Sequence, residues 1–365
     1  MKFETKKENI YEKLSLADKM TGKNSSLPVL EAVLLSLEGN NLIIRATNLD
    51  LAIEETVSVK GAQNGVVAVL SKTILSYLNN IKDDEKLTFE LVDNTLKIQS
   101  TFSEVLIKTM VSDDFPVIPR IETEAEFSIS AKDIVTGIKS VVYASSVSSM
   151  KPELSSVYIY KNETEEIVFV ATDSFRLAEK KIKNKTISDD IRILVPFKNA
   201  LEIVHVCENI DDIVSIVFNK NQLAISFSDT YMVSRVVDGV FPDYKQIIPT
   251  SYTSEVIALK QDIVNTFKII NVFSDKFNQV NISLKDKVFS IETKNNEIGE
   301  TKNSIQVTHT GDDIDMNFNY RYIVDSFASI NSDSLSFNFS GPGRPLVIRG
   351  VSDASFMYLV MSMNK

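Results

Sequence analysis

The sequence predicts an α+β protein made of three tandem copies of one domain. Three observations carry that reading: short motifs recur at about one third of the chain length, amphipathic helix stripes recur in fixed order, and alternating strands follow every second stripe. The chain has 365 residues, too many for one ordinary hydrophobic core at about 100–200 residues per domain. Phe115-Pro116 returns as Phe241-Pro242, Ala46-Thr47-Asn48 as Ala171-Thr172-Asp173, and Leu27-Pro28-x-Leu30 as Lys151-Pro152-x-Leu154. A period of this kind is the mark of internal repetition.

Each copy opens with a helix, because apolar residues at i, i+4 and i+7 lie on one face. Ile10, Leu14 and Ala17 form the first such stripe, Ile134, Ile138 and Val141 the second, and Ile263, Phe267 and Ile270 the third. A second helix in each copy repeats the spacing as Ile74/Leu78/Ile81, Ala200/Val204/Cys207 and Ile323/Phe327/Ile330, with Lys72, Lys198 or Arg321 two positions ahead of it. Period-two strands come next: Leu87/Phe89/Leu91, Val214/Ile216/Phe218 and Leu335/Phe337/Phe339. Turn residues at Asp93-Asn94, Asn219-Lys220-Asn221 and Ser340-Gly341-Pro342-Gly343 separate these from strands opening Leu96/Ile98, Leu223/Ile225 and Leu346/Ile348. Proline and acidic residues in the connectors 116–126 and 242–254 set the expected domains at 1–122, 123–248 and 249–365.

Composition excludes several classes of function. Apolar residues make up 44% and charged residues 24%, a globular rather than disordered balance. A net charge of -10 argues against holding nucleic acid through overall positive charge. One cysteine rules out a disulfide framework and a multi-cysteine zinc site. Two histidines, His205 and His309, leave little for metal binding or general acid–base work, and no phosphate-cradling motif runs through the 11 glycines. The amino-terminal residues lack an apolar signal region, and no apolar run approaches the roughly 18 residues of a membrane span. A soluble cytoplasmic chain without cofactor or metal is expected.

The charge is unevenly placed. The first-helix segments 1–25, 127–151 and 256–277 carry +2, +2 and +1; the second-helix segments 71–82, 197–206 and 320–331 carry +2, 0 and 0. Helical segments therefore hold +7 and the remainder -17. Lysine also favours helices for ordinary reasons, so the collective sign carries more weight than any single residue.

Four stretches fall in the same order across the copies: Ser26-Leu27-Pro28-Val29-Leu30, Ala171-Thr172-Asp173-Ser174-Phe175-Arg176-Leu177-Ala178, Val237-Asp238-Gly239-Val240-Phe241-Pro242-Asp243-Tyr244 and Tyr358-Leu359-Val360-Met361-Ser362-Met363. On these the whole chain resembles the bacterial sliding clamps, the beta subunits of DNA polymerase III. The resemblance implies a DNA-clamp (processivity-fold) domain repeated three times, closed as a head-to-tail homodimeric ring with helices lining a central hole and antiparallel sheets outside. It implies a non-catalytic subunit that encircles double-stranded DNA irrespective of sequence. Polymerase and clamp-loader subunits would dock on it through Gln-Leu-x-Leu-Phe-like peptides.

The resemblance also implies sites. The peptide groove would include Leu154, Thr172, Ser174, Phe175, Arg176 and Leu177, then Pro242, Phe277 and Pro345, and at the tail Val360, Met361 and Met363. Methionines beside aromatic and aliphatic side chains make a surface that adapts to several ligands; the competing reading of the tail is a terminal core strand. Lys6, Lys7, Lys13, Lys19, Lys23, Asn24 and Lys72 would face DNA from the first copy. Lys132, Lys139, Lys151 and Lys198 would do so from the second, and Lys260, Lys268 and Arg321 from the third. Val105 and Ile107 would form an edge strand at one end of the protomer, meeting Ile269 and Val272 of its partner. The chain departs from the family at Ser174-Phe175, where Gly-His is frequent, at Ser362, where Pro is common, at Gln246, where a basic residue is common, and at its Asn364-Lys365 ending. Asp173 beside Arg176, and the pairs Asp189-Asp190 and Asp312-Asp313, read as turn residues rather than metal or acid–base sites. An enzyme acting between domains lacks a carboxylate pair, and a scaffold that does not encircle DNA would need no basic helices.

Overall fold

The structure is a computed structural model that describes residues 1–23, 26–82, 85–121, 125–184 and 191–364. Six α-helices are present among them: α1 (Lys7–Lys19), α2 (Ser71–Asn79), α3 (Ala131–Val141), α4 (Phe197–Cys207), α5 (Lys260–Val272) and α6 (Tyr320–Asp325). All six predicted stripes face the core. Seventeen of their eighteen residues are buried and Ile81 is half-buried. Two stripes outrun their helices. α2 stops at Asn79, where Asn80 turns its side-chain amide onto the Ser76 carbonyl (2.8 Å). α6 stops at Asp325 because the Ser326 hydroxyl takes the Ile323 carbonyl (2.7 Å), and Phe327 lies in a following 3-10 turn. Burial of Phe327 and Ile330 depends on that turn, not on continued helix.

The helices open with the same backbone contact in every copy. The amide of Lys7 donates to Glu85 (3.0 Å), that of Ala131 to Asp212 (2.9 Å) and that of Lys260 to Asp333 (2.8 Å). In α3 a glycine permits close approach to the sheet: a Cβ on Gly137 would meet the Phe169 ring at 2.4 Å. Among the described residues no helix is long and apolar enough to cross a membrane.

The strands gather into two compact units, one of residues 1–132 with 202–236, the other of 133–184 and 191–201 with 237–364. The first unit holds a thirteen-stranded sheet and the second a nine-stranded and a four-stranded sheet, all from antiparallel pairs. The middle copy contributes to both units, because each junction between copies is itself a strand pair. In the first unit Leu51–Ser58 pairs with Thr230–Arg235 in the register Glu55↔Thr230. In the second, Arg176–Lys183 pairs with Phe356–Val360 in the register Leu177↔Leu359. Joining copies by backbone hydrogen bonds covers sheet edges that would otherwise invite foreign strands.

Side-chain contacts tie each connector to its junction. Glu54 holds Arg45 (2.6 Å) and also Arg120 from the first connector, whose guanidinium lies 4.0 Å over the Tyr231 ring. Beneath this strand the fully buried Glu55 accepts from Lys13 (2.6 Å) and Thr230 (2.8 Å). Burial pushes the Glu55 carboxyl above the usual carboxylate range, against the pull of Lys13. At the second junction Glu179 occupies the place of Glu54, and Tyr244 of the connector donates its hydroxyl to it while meeting Tyr160 at 2.7 Å. Phe241 stacks on Tyr158 with ring centroids 4.9 Å apart. Cys207 is buried, and burial pushes its thiol up to about 12, so it is an inert core residue.

Candidate peptide groove and DNA-facing helices

The Thr172–Arg176 turn is built from its own side chains. Asp173 Oδ1 accepts from the amides of Phe175 (2.9 Å) and Arg176 (3.0 Å). The Thr172 hydroxyl donates to the Arg176 carbonyl (2.6 Å) and accepts from the Ser174 amide (3.2 Å). The first copy repeats the device with Thr47 and Asn48, whose oxygens hold Leu49, Asp50 and Leu51. The turn-forming role read for Asp173 is what the geometry displays. The price is a left-handed backbone at Ser174 and Leu49, both at φ 77°, where a Cβ is strained. Replacing Ser174 by Gly should therefore raise stability by about 1 kcal/mol, read as a higher thermal midpoint, with Leu49→Gly as the matched case. An unchanged or lower midpoint for both would show that the turns are not strained.

This turn fixes the chain tail. The Met361 amide donates to the Phe175 carbonyl (2.8 Å), and the Met363 amide to Asn317 of the four-stranded sheet (2.7 Å). The tail thus leaves the nine-stranded sheet at Val360 and crosses to the other sheet of the same unit. Strand parity then decides which side chains share a face. Leu177, Leu359 and Met361 lie together in a cluster with Phe241, Tyr244, Val347 and Ile248. Val360 pairs with Arg176 and points to the opposite face, where it is fully buried. Leu359 therefore replaces Val360 as the tail's wall residue beside Leu177 and Met361, a correction of one position.

The other predicted groove residues are placed as follows. Phe175 is 61% exposed beside Met361, and Pro242 is exposed next to Phe241. Pro345 is buried just before Leu346, the strand partner of Val360. Leu154 is buried in the turn that its amide closes onto Lys151 (3.0 Å). Phe277 is exposed in the loop after α5 beneath the Lys276 ammonium (5.1 Å). Arg176 differs most from expectation: its side chain is only 12% exposed, bonded to Asp173 (2.9 Å) and Asp325 (2.5 Å), with the Tyr322 ring at 4.5 Å. It ties the turn to α6, its Nε donating to Asp173 and its Nη1 to Asp325. Sequence reasoning missed Tyr322 and Asp325, whose partner is 149 residues away, and Phe241 and Tyr244 as the floor, although their Phe-Pro repeat was a usable signal.

The matching place at the first junction has a different surface. Asp50 stands for Phe175 and Arg235 for Met361, and the two form an ion pair at 3.8 Å. The cavity there is only about 80 Å3. An apolar ligand would meet charge instead of Phe and Met.

Two of the lysines assigned to DNA do other work. Lys7 is buried, and its ammonium donates to the Ile81 carbonyl (2.6 Å) just past α2. Lys260 repeats the contact with the Ile330 carbonyl past α6 (2.7 Å). These cations satisfy the carbonyls that a helix end leaves unpaired and drop out of the DNA-facing set; the middle copy has Ala131 at the same place. Lys13 is held by Glu55 and Lys6 meets Glu8 at 3.1 Å. Lys19, Lys23, Lys72, Lys132, Lys139, Lys151, Lys198, Lys268 and Arg321 are exposed. Asn24 lies outside the described residues.

Strand Glu104–Met110 pairs with Thr95–Gln99 along one side, while on the other only Thr109 and Met110 pair. Residues 104–108 are thus an open edge. Its outward side chain is Leu106, 63% exposed; Ile107 is 5% exposed and belongs to this chain's own core, and Val105 is half-buried. In the other unit Ile269 and Val272 are exposed on α5.

Three helix-and-sheet copies, joined strand to strand through their sheets, define a protein of the DNA-clamp class. Family models of the DNA polymerase III beta subunit match in order: the N-terminal domain at residues 1–119, the central domain at 128–243 and the C-terminal domain at 245–364. The chain belongs to the DNA polymerase III beta subunit family. It is 25% identical to the beta sliding clamp of Streptococcus pneumoniae (strain ATCC BAA-255 / R6) over 98% of each chain. It is 23% identical to that of Haemophilus influenzae over 100% of each. Its fold matches the crystal structure of the DNA polymerase III subunit beta from Pseudomonas aeruginosa with a TM-score of 0.95 at 23% identity, covering 100% of both chains. The Thermotoga maritima beta subunit matches with a TM-score of 0.92 at 24% identity, covering 100% of this chain and 99% of that one.

Proposed function

We propose that the chain is a sliding clamp: two protomers close head to tail around duplex DNA and tether the replicative polymerase in the cytoplasm. The observation that carries this is family membership along the entire chain, with all three domain models matched in sequence order. The chain is a processivity subunit and performs no catalysis of its own. Domain boundaries near 122 and 248 belong to this reading; the matched segments change over between 119 and 128 and between 243 and 245. The exposed helix cations support contact with phosphate, and their number fits the task. Each phosphate contact adds affinity and salt dependence, so a modest set suits sliding better than a dense one, and base contacts would only impede it.

Polymerase and clamp-loader subunits dock by a short apolar peptide in the wall formed by Leu177, Leu359, Met361 and Phe175. Burying one Leu or Phe anchor contributes roughly 1.5–3 kcal/mol, so two anchors give exchangeable, micromolar binding. Solution mass tests the ring. A chain of 40.9 kDa should sediment as a dimer at micromolar concentration, and a persistent monomer would contradict closure by two protomers.

A further inference from the structure

We infer that a cavity around Arg349 is a second docking point, taking the side-chain carboxylate of an acidic residue from a partner segment whose apolar anchors sit in the groove. The inference rests on the groove reading above and deepens it. Strand register builds the site. Glu179, Met357 and Arg349 stand opposite one another across three strands, so they share a face. Leu177, Leu359 and Val347 form the next row of that face, two residues along each strand, or about 7 Å away. The first row borders a cavity of about 330 Å3, lined also by Lys181, Asp353 and Ser355.

Pairing, not an excess of charge, singles out Arg349. Glu179 accepts from the Tyr244 hydroxyl and meets the Lys181 ammonium at 3.2 Å. Asp353 accepts from the Ser355 amide (3.0 Å) and hydroxyl (2.5 Å) and from the Asn331 amide (3.2 Å), with the Lys180 ammonium at 3.8 Å. Glu255, on the same face, accepts from Ser336 (3.0 Å), the residue opposite Arg349. Lys183 and Glu166 stand opposite each other beyond Lys181. These charges balance in number, yet among the described residues the half-buried Arg349 guanidinium has one partner, the Met357 sulfur (3.6 Å). A thioether is a weak acceptor. The remaining donors form the planar fork that a carboxylate meets with two hydrogen bonds. Both carboxylates of the cavity are already held, so the one that completes Arg349 comes from a ligand.

The test uses the full-length protein and labelled Gln-Leu-Ser-Leu-Phe peptides extended by serines on either side, with one serine replaced in turn by Asp. Each peptide is amidated at its end, so the Asp side chain supplies the only carboxylate. An extended chain advances about 3.3–3.6 Å per residue, so the productive position should lie about two to four residues from an anchor. Fluorescence anisotropy at about 0.05 M salt should show binding there roughly three- to tenfold tighter than that of the all-serine peptide. Arg349→Gln should remove the gain while leaving the affinity of the unextended pentapeptide unchanged. Arg349→Lys should keep part of it, since an ammonium holds the charge without the fork. Equal affinities at every position in the unaltered protein, or a gain that survives Arg349→Gln, would overturn the inference. Failure of the unextended pentapeptide to bind would instead overturn the groove reading on which it stands.

Discussion

Deleting residues 361–365 is expected to lower peptide affinity by about 100-fold while the protein stays folded. The tail beyond Val360 contributes Met361 to the Leu177 cluster and runs on two backbone hydrogen bonds, to Phe175 and to Asn317. Removing it takes away one wall of the groove and the restraint on the Phe175 turn. Loss of two apolar contacts costs about 3 kcal/mol, which is about 100-fold in affinity. Strand Phe356–Val360 keeps its partners on both sides, so the thermal midpoint should fall by only a few degrees. Anisotropy with a Gln-Leu-Ser-Leu-Phe peptide reads the effect, and unchanged affinity would reject the site. Leu359→Ala should weaken binding too, at a larger loss of stability because Leu359 is buried on the face of Leu177, whereas sequence alone pointed to Val360.

Leu106→Asp is expected to turn the dimer into a monomer, raising its dissociation constant at least about 100-fold. Residues 104–108 offer unpaired backbone on one side, with Leu106 as the exposed apolar side chain. An unpaired carboxylate carried into a closed contact costs several kcal/mol. Val351, exposed and apolar at 56%, provides the control, since Val351→Asp should leave the mass unchanged. Sedimentation at micromolar concentration distinguishes the two. A dimeric Leu106→Asp protein would place the protomer contact elsewhere.

The helices and strands were legible because burial imposes periods of 3.6 and 2 on apolar residues, and those periods survive divergence between the copies. The stripes Ile10/Leu14/Ala17 and Ile263/Phe267/Ile270 were readable without any structure for this reason. What failed to show was the direction and commitment of polar side chains. Lys7 and Lys19 look alike in sequence, yet one caps a carbonyl chain at a helix end and the other meets solvent. Arg176 reads as a ligand-binding cation, and its ion pair with Asp325, on a helix far along the chain, leaves no trace in the local sequence. Val360 and Ile107 were each one residue from the exposed or groove-facing neighbour. A strand reverses its faces at every step, so an error of one position in register inverts the assignment. The ends of α2 and α6 were hidden in single side chains, Asn80 and Ser326, which compete for backbone carbonyls.

The central claim is that the protein holds DNA by topology rather than by grip. Loaded by a clamp loader onto a nicked circular plasmid and separated from free protein, it should remain with the circle through gel filtration. Cutting the plasmid once should release it from the free ends within minutes, even at moderate salt where direct phosphate contacts are weak. Equal retention on circular and linear DNA would contradict encirclement and return the chain to the class of ordinary DNA-binding or scaffold proteins.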